Sequence, residues 1–182
     1  MERISCIVPA FNESHRIGPI LAMLVTHPMI DEIIVVDDGS HDGTAEVVRQ
    51  YPSLQLISHP TNKGKTTALH SGMSMAQYPY LLLLDADLEG LTEENVTALI
   101  TPVVEGVVEV TISMRRNSPA IDKLFGLDYI SGERCFKKAL LDGHMDSLLH
   151  LPKFGFEVFL NKILISKRAS LAVIYWKDDI NR

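Results

Sequence analysis

Two aspartates follow a short apolar run in the first half of the chain. Asp85 and Asp87, separated by one alanine, come directly after the four leucines of 81–84. Such a run is typical of a buried strand in a parallel sheet, and ligands bind at the carboxyl ends of these strands. Carboxylate oxygens are the ligands that hard divalent cations prefer. We therefore predict a metal here, with Asp87 as its first ligand; a locally extended backbone would turn Asp85 and Glu89 to the same side.

A second acidic pair repeats this arrangement. Asp37 and Asp38 follow the β-branched run 33–36 and lead into Gly39 and Ser40. Two strands with acidic ends predict one shared cleft. The residues alone leave another interpretation open, in which Asp37 and Asp38 only form a strand-to-helix turn or cap a helix, because aspartate and glycine are common there. Asp85 and Asp87 could likewise be an ordinary turn or cap.

Composition limits the class of protein. The chain has 182 residues, 46% hydrophobic and 22% charged, which predicts one compact α/β domain. Its formal net charge of -6 disfavours general binding to nucleic acid or an anionic membrane. No apolar stretch approaches the roughly 20 residues of a transmembrane helix, and the amino terminus does not resemble a signal peptide. With only two cysteines, we expect no disulfide framework and a cytoplasmic protein, peripheral at most to a membrane.

Strand and helix patterns alternate along the chain, which predicts a parallel sheet. Strands are predicted over 4–8, 33–36, 54–58, 81–84, 107–114 and 171–176, with Pro9 ending the first. The predicted helices begin at Ile17, Asp42 or Thr44, Thr66, Thr92 and Glu157, and end near His27, Gln50, Ala76, Pro102 and Lys167. The apolar run 154–164 could face a membrane, although a buried core helix is the more common explanation.

Six segments together resemble family 2 glycosyltransferases, closest to the dolichyl-phosphate mannosyltransferase and polyprenyl-phosphate glycosyltransferase branch. They are Val-Pro-Ala-Phe-Asn-Glu at 8–13, Val-Val-Asp-Asp-Gly-Ser at 35–40 with Asp-Gly-Thr at 42–44, Asn-Lys-Gly-Lys at 62–65, Leu-Asp-Ala-Asp-Leu at 84–88, Ser-Gly-Glu-Arg-Cys-Phe at 131–136 and Gly-Phe-Glu at 155–157. The sequence departs from the family pattern at Thr66, Glu89 and Glu133. In order and spacing, the first four segments match the family strongly and the rest more loosely.

The resemblance implies a GT-A (Rossmann-like) fold, a mostly parallel sheet flanked by helices in a single domain over 1–182. Residues 1–91 would form the nucleotide-sugar binding half and 92–182 the acceptor-side half. The implied reaction is inverting transfer of a hexose from a UDP- or GDP-sugar, with Mg²⁺ or Mn²⁺ neutralising the departing diphosphate. A polyprenyl phosphate is one acceptor that the resemblance suggests, and a small hydroxyl acceptor is the alternative.

By resemblance, one set of residues would bind the donor: Pro9, Phe11, Glu13, Asp37, Asp38, Lys65, Asp85, Ala86 and Arg115. Pro9, Phe11 and Glu13 would form one wall, Asp37 or Asp38 would accept hydrogen bonds from the base, and Asp85 would face the metal or the ribose. Lys63 and Lys65 could steady phosphates or be solvated loop charges.

The residues expected to act on the transferred group are Asp87, Arg134 and Glu157. Arg115 and Arg134 would lie near the donor diphosphate or an acceptor phosphate, since arginine binds phosphate in a planar fork. Glu157 could be a general base, with Asp128 a second candidate, or could stabilise the first turn of its helix. A lipid phosphate is already ionised and needs no base.

Three other classes fit less well. A receiver-type signalling module carries its acidic pair after the first strand, and here the pair follows the second. A nucleotidyltransferase begins with a glycine-rich, basic loop, and 8–13 contains neither glycine nor a cation. The third class, a shortened glycosyltransferase that binds a donor without turnover, stays an alternative. Assembly into a homodimer also stays open.

Overall fold

The computed structural model describes residues 2–115, 132–151 and 155–176, so Asp128 and Ser131 lie outside the described residues. The strands are β1 (Ile4–Ala10), β2 (Glu32–Asp37), β3 (Gln55–Ser58), β4 (Tyr80–Leu83), β5 (Val110–Arg115), β6 (Arg134–Lys137) and β7 (Leu171–Trp176). The helices are α1 (Ile17–Leu24), α2 (Thr44–Val48), α3 (Lys65–Met75), α4 (Glu93–Val104), α5 (Met145–Leu148) and α6 (Phe156–Lys167), with a 3₁₀ turn at Lys138–Leu141.

Within the described ranges, the strands form one seven-stranded sheet in the order β3-β2-β1-β4-β6-β5-β7. Strand β6 is antiparallel to both β4 and β5, and the other pairs are parallel. The predicted class, a mostly parallel sheet flanked by helices in a single domain, is confirmed. Simple alternation missed β6 because an antiparallel strand needs no helical crossover. The strand order reverses between β1 and β4, the position where open α/β sheets bind ligands.

Apolar residues pack against both faces of the sheet. On one face Ile17 and Leu21 of α1 join Leu99 of α4, and on the other Leu69 of α3 joins Leu160 of α6. Helix α6 is therefore a core helix, as the sequence favoured. Within the described residues, no helix combines the length and the apolarity needed to cross a bilayer.

Two prolines differ from their predicted roles as stops. Strand β1 continues through Pro9, which pairs in register with Val36 of β2. Beyond Ile7, β1 has no register partner in β4, so the missing N–H of Pro9 removes no hydrogen bond on that side. Pro102 lies inside α4, and the helix continues past it to Val104.

The two cysteines are both buried and unbridged. Cys6 of β1 and Cys135 of β6 both pair in register with Leu82 of β4, from opposite sides. Their Cα atoms are thus separated by two strand spacings, roughly 10 Å, which is too far for a disulfide. Burial raises the pKa of the Cys135 thiol to about 12, so this thiol stays protonated at neutral pH.

Candidate active site

A cavity of about 550 Å³ opens at the carboxyl ends of β1 and β4, where the strand order reverses. Most of its lining residues were predicted from the sequence: Pro9, Phe11, Glu13, Asp38, Lys65, Asp85, Ala86, Asp87 and Glu157. Ala10, Asn62, Gly64 and Ala68 also line it. Among the residues that the structure describes, every lining residue except Glu157 lies within 1–91, the predicted donor half.

Hydrogen bonds join the loop after β1 to the loop after β2. The backbone N–H of Asn12, whose φ is 57°, donates to Ser40 Oγ at 2.9 Å. The N–H of Glu13 donates to Thr44 Oγ1 at 2.8 Å. These contacts fix the rim of the cavity next to Phe11, whose ring remains 42% exposed.

Asp42 anchors the same junction. Its carboxylate accepts the N–H of Ser14 at 2.9 Å and both the N–H and the hydroxyl of Thr44, at 3.0 and 2.5 Å. Burial would raise the pKa of Asp42, but the hydrogen bonds from Thr44 and Ser14 outweigh it and hold the pKa well below its usual range. The sequence pattern marks Asp42 as a helix start and as part of a family segment, and it carries no signal for this link between the loops.

Glu13 carries its charge at the edge of the cavity. Arg16 Nη2 lies 2.7 Å from Glu13 Oε2. Burial raises the pKa of Glu13, the ion pair with Arg16 opposes this shift, and the negative charge of Asp87 adds to it. The coupling between Glu13 and Asp87 indicates that negative charges converge on the cavity.

Asp38 binds the loop that follows β3. It accepts the N–H groups of Lys63 and Gly64, at 3.0 and 2.7 Å, and lies 2.7 Å from His59 Nδ1. The other ring nitrogen of His59 lies 3.0 Å from Ser71 Oγ on α3. His59 and Ser71 were not among the predicted site residues, because the spacing of the histidines carries no signal for this contact.

The turn after β2 leaves no room for a larger residue at Gly39. A Cβ there would lie 2.6 Å from the carbonyl carbon of Thr61, and φ is +77°. Asp37 accepts the N–H of Ser40 at 3.0 Å and does not line the cavity. Asp37 therefore has the turn-forming role that the residues alone left open, whereas Asp38 binds the loop after β3 and also lines the cavity.

An ammonium group bridges two carboxylates on the floor of the cavity. Lys65 Nζ lies 2.6 Å from Asp85 Oδ1 and 3.2 Å from Glu157 Oε1. Burial would lower the pKa of Lys65, but the charges of Asp85, Glu157 and Glu133 outweigh it and raise the pKa. Lys65 is therefore an internal counterion and not a solvated loop charge.

Arg134 does not line the cavity. Its side chain is fully buried, and its Nη1 donates to Asn161 Oδ1 of α6 at 2.7 Å. Burial lowers the pKa of Arg134 to about 10, against the raising effect of Glu157 and Glu133. This geometry gives Arg134 a contact within the protein, and its contact with a phosphate stays a prediction. Arg115 ends β5, and its side chain lies outside the described part of the chain.

The structure also does not bring Glu89 into the cavity. Glu89 is exposed and lines a smaller cavity of about 250 Å³ together with His15 and Arg16. The chain turns at residues 86–87, so the extended backbone that would align Glu89 with Asp85 and Asp87 is absent.

Without Glu89, two of the predicted metal ligands, Asp85 and Asp87, remain in the cavity, and they suit a Mg²⁺-like ion. In the described ranges, no group of three or more His, Cys, Asp or Glu side chains is arranged to hold a metal. Mg²⁺ is commonly bound by one or two carboxylates, with substrate phosphates and water completing the shell. Asp85 and Asp87, which both line the cavity, match that donor set.

The fold, with its cavity where the strand order reverses, is of the GT-A type. The structure is similar to that of glucosyl-3-phosphoglycerate synthase from Mycobacterium tuberculosis in complex with Mn²⁺, UDP-glucose and phosphoglyceric acid. The TM-score is 0.81 at 21% identity, over 97% of this chain and 70% of that one. The complex of that enzyme with phosphoglyceric acid gives a TM-score of 0.82 at 20% identity, over 100% and 72% of the two chains.

The chain belongs to glycosyl transferase family 2, whose model matches residues 5–154. A dolichyl-phosphate β-glucosyltransferase of Trichomonas vaginalis is 39% identical over 44% of this chain and 28% of its own. A dodecaprenyl-phosphate galacturonate synthase of Rhizobium johnstonii is 28% identical over 63% and 36%. A poly-β-1,6-N-acetyl-D-glucosamine synthase of Staphylococcus aureus is 27% identical over 99% and 43%. The predicted family is confirmed, and the first two of these relatives match the predicted polyprenyl-phosphate branch. The chain spans 28% to 43% of the length of these relatives.

Proposed function

We propose that this domain transfers a hexose from a UDP- or GDP-sugar to a polyprenyl phosphate, with inversion at the anomeric carbon. The charge of the cavity carries this proposal. Among the described residues, its lining includes five carboxylates and one ammonium: Glu13, Asp38, Asp85, Asp87, Glu157 and Lys65. A diphosphate would be repelled by such a surface unless a divalent cation accompanied it. A cavity of about 550 Å³ also lies within the usual size range of small-ligand sites.

The donor would lie along the ends of β1 and β2. Pro9 and the exposed ring of Phe11 offer an apolar wall for the base, and Glu13 offers a carboxylate to the ribose hydroxyls. The loop held by Asp38 would close the other side through Asn62. These contacts suit a nucleoside diphosphate of either base.

Asp87, together with Asp85, would hold Mg²⁺ or Mn²⁺. When bound, the ion supplies positive charge that stabilises the diphosphate as it leaves. The complexes of the M. tuberculosis synthase with Mn²⁺ and UDP-glucose support this assignment.

In the proposed reaction an oxygen of the acceptor phosphate attacks the anomeric carbon while the bond to the diphosphate breaks on the opposite face. The nucleoside diphosphate leaves with the bonding electrons, and no proton has to be removed because the acceptor is already ionised. Glu157 would then act by fixing Lys65, which lies 3.2 Å away. Relatives named for dolichyl and dodecaprenyl phosphates support this acceptor class. Such an acceptor would require the domain to work at a membrane surface.

A hydroxyl acceptor is the second candidate, because Glu157 lines the cavity and could remove a proton from it. The bound phosphoglyceric acid of the M. tuberculosis synthase is consistent with that alternative. A domain that binds a donor without turnover is the third.

The deciding experiment incubates the protein with Mn²⁺ and a panel of UDP- and GDP-hexoses, with either undecaprenyl phosphate or 3-phosphoglycerate as acceptor. Release of the nucleoside diphosphate and the mass of the product are measured. We expect a glycosyl polyprenyl phosphate. A glycosylated phosphoglycerate would favour the hydroxyl acceptor, and donor binding without product would favour the domain without turnover.

A further inference from the structure

We propose that Lys65 is a built-in counterion of Asp85 that competes with the divalent cation, so that the metal binds tightly only when a diphosphate draws the ammonium away. This inference rests on the proposed function, because it concerns how the same cavity takes up its metal and its donor.

The position of the ammonium group is fixed from three sides. Lys65 begins α3, and its Nζ contacts Asp85 Oδ1 at 2.6 Å and Glu157 Oε1 at 3.2 Å. Gly132 covers the ion pair, since a Cβ there would lie 2.5 Å from Nζ and 2.7 Å from both oxygens of Asp85. The glycine thus leaves room for the ammonium and shields it from water on that side.

An ammonium in this place conflicts with a metal on Asp85. A divalent cation binds a carboxylate oxygen at roughly 2.0 to 2.6 Å, so it would share Asp85 with the ammonium. Two positive charges that share one carboxylate repel each other strongly in a partly buried site. Metal binding to Asp85 therefore requires Lys65 to move away from Asp85, which a new anionic partner beside Glu157 would favour.

A nucleoside diphosphate provides that partner. Lys65 lines the same cavity as Asp87, so a diphosphate bound there would offer oxygens to the ammonium while Asp85 turns to the metal. Nucleotide and metal would then each strengthen the binding of the other by the same factor. In the absence of nucleotide, the ion pair would protect the cavity from binding divalent cations unproductively.

The test measures Mn²⁺ affinity from the electron paramagnetic resonance signal of unbound Mn²⁺, with and without UDP. Wild type is compared with Lys65→Met and with the control Lys63→Met, whose side chain is exposed and outside the cavity. We expect Lys65→Met to bind Mn²⁺ about 10-fold more tightly than wild type without UDP, and to show a smaller effect of UDP on that affinity. Lys63→Met should match wild type.

A double variant covers the case in which Lys65→Met does not fold. Lys65→Gln with Glu157→Gln removes the ammonium and one carboxylate together, so that the buried charge stays balanced, and it should also bind Mn²⁺ more tightly without UDP. Unchanged or weaker Mn²⁺ affinity without UDP, in a variant that still binds Mn²⁺ with UDP, would overturn the inference and leave the proposed function standing. No Mn²⁺ binding by wild type even with UDP would overturn both.

Discussion

His59 Nδ1 lies 2.7 Å from Asp38 Oδ1, and both side chains are almost fully buried. The contact ties the loop after β3, which carries Asn62 into the cavity, to the turn after β2. Ser71 lies 3.0 Å from the other ring nitrogen and extends the link to α3. The wall of the proposed donor site therefore depends on a histidine that does not line the cavity itself.

Replacement of His59 should loosen this wall. We expect His59→Ala to lower the free energy of unfolding by about 1 to 3 kcal/mol, because buried Asp38 loses a hydrogen-bond donor. It should also weaken Mn²⁺-dependent binding of UDP more than that of pyrophosphate, since the wall faces the nucleoside. Calorimetry and denaturant unfolding measure both effects. The exposed His41→Ala is the matched control, and an equal loss for UDP and pyrophosphate would contradict the assignment.

Asp87 and Glu89 offer a sharp comparison, because both were predicted metal ligands and only Asp87 lines the cavity. Asp87→Ala should abolish Mn²⁺-dependent UDP binding and leave the melting temperature within a few degrees of wild type. Glu89→Ala should bind UDP and Mn²⁺ normally. Calorimetric titration of both variants decides this, and loss of binding in Glu89→Ala would mean that the chain rearranges around the metal.

Features that depend on local sequence pattern, such as most strands and the residues that directly follow them, were predicted correctly. Asp85 and Asp87 reach the cavity because a short apolar strand delivers them to the edge of the sheet, and β-branched or leucine runs mark such strands clearly. Phe11 and Glu157 were placed by family resemblance, which carries long-range information that spacing alone lacks. The same local reasoning failed at Glu89, where a turn at 86–87 changes the direction of the chain.

Long-range contacts account for the rest. The burial of Arg134 depends on Asn161, which is 27 residues away, and on the antiparallel pairing of β6 with β4. The Asp38–His59 contact likewise joins residues 21 positions apart. Neither pair leaves a periodic trace in the sequence, so only the assembled fold reveals what these charges contact.

Arg134 should therefore contribute mainly to stability. Arg134→Met would leave buried Glu133 and Glu157 without its positive charge, and we expect the free energy of unfolding to fall by about 3 to 5 kcal/mol. Lys137→Met, at an exposed position on the same strand, should cost less than about 1 kcal/mol. Denaturant unfolding at neutral pH measures both. Full stability of Arg134→Met with a large loss of turnover would restore the phosphate-binding role predicted from the sequence.

The lowered pKa of Asp42 should make the stability of the protein depend on pH. Because hydrogen bonds lower its pKa in the folded protein, the ionised carboxylate stabilises the fold fully above the unfolded pKa of about 4 and loses this effect as the pH falls toward the lowered folded pKa. Wild type should exceed Asp42→Asn in free energy of unfolding at pH 6, and the gap should shrink below about pH 4. Unfolding curves between pH 3 and 7 test this. Asp142→Asn, an exposed control, should show no such gap, and a constant gap for Asp42→Asn would contradict the prediction.

The effect of replacing Glu157 distinguishes a polyprenyl phosphate acceptor from a hydroxyl acceptor. With a polyprenyl phosphate the attacking oxygen is already ionised, so Glu157→Gln should reduce turnover only through its contact with Lys65, by less than about 10-fold, and keep the acidic limb of the pH–rate profile. With a hydroxyl acceptor the same variant would lose a general base, at a cost of roughly 100-fold or more, and the acidic limb would disappear. We expect the first result with undecaprenyl phosphate. Steady-state rates of wild type and Glu157→Gln across pH 5 to 9, with both acceptors, provide the measurement. A loss of 100-fold with undecaprenyl phosphate would show that Glu157 acts on the reacting atoms and that the phosphate mechanism is wrong.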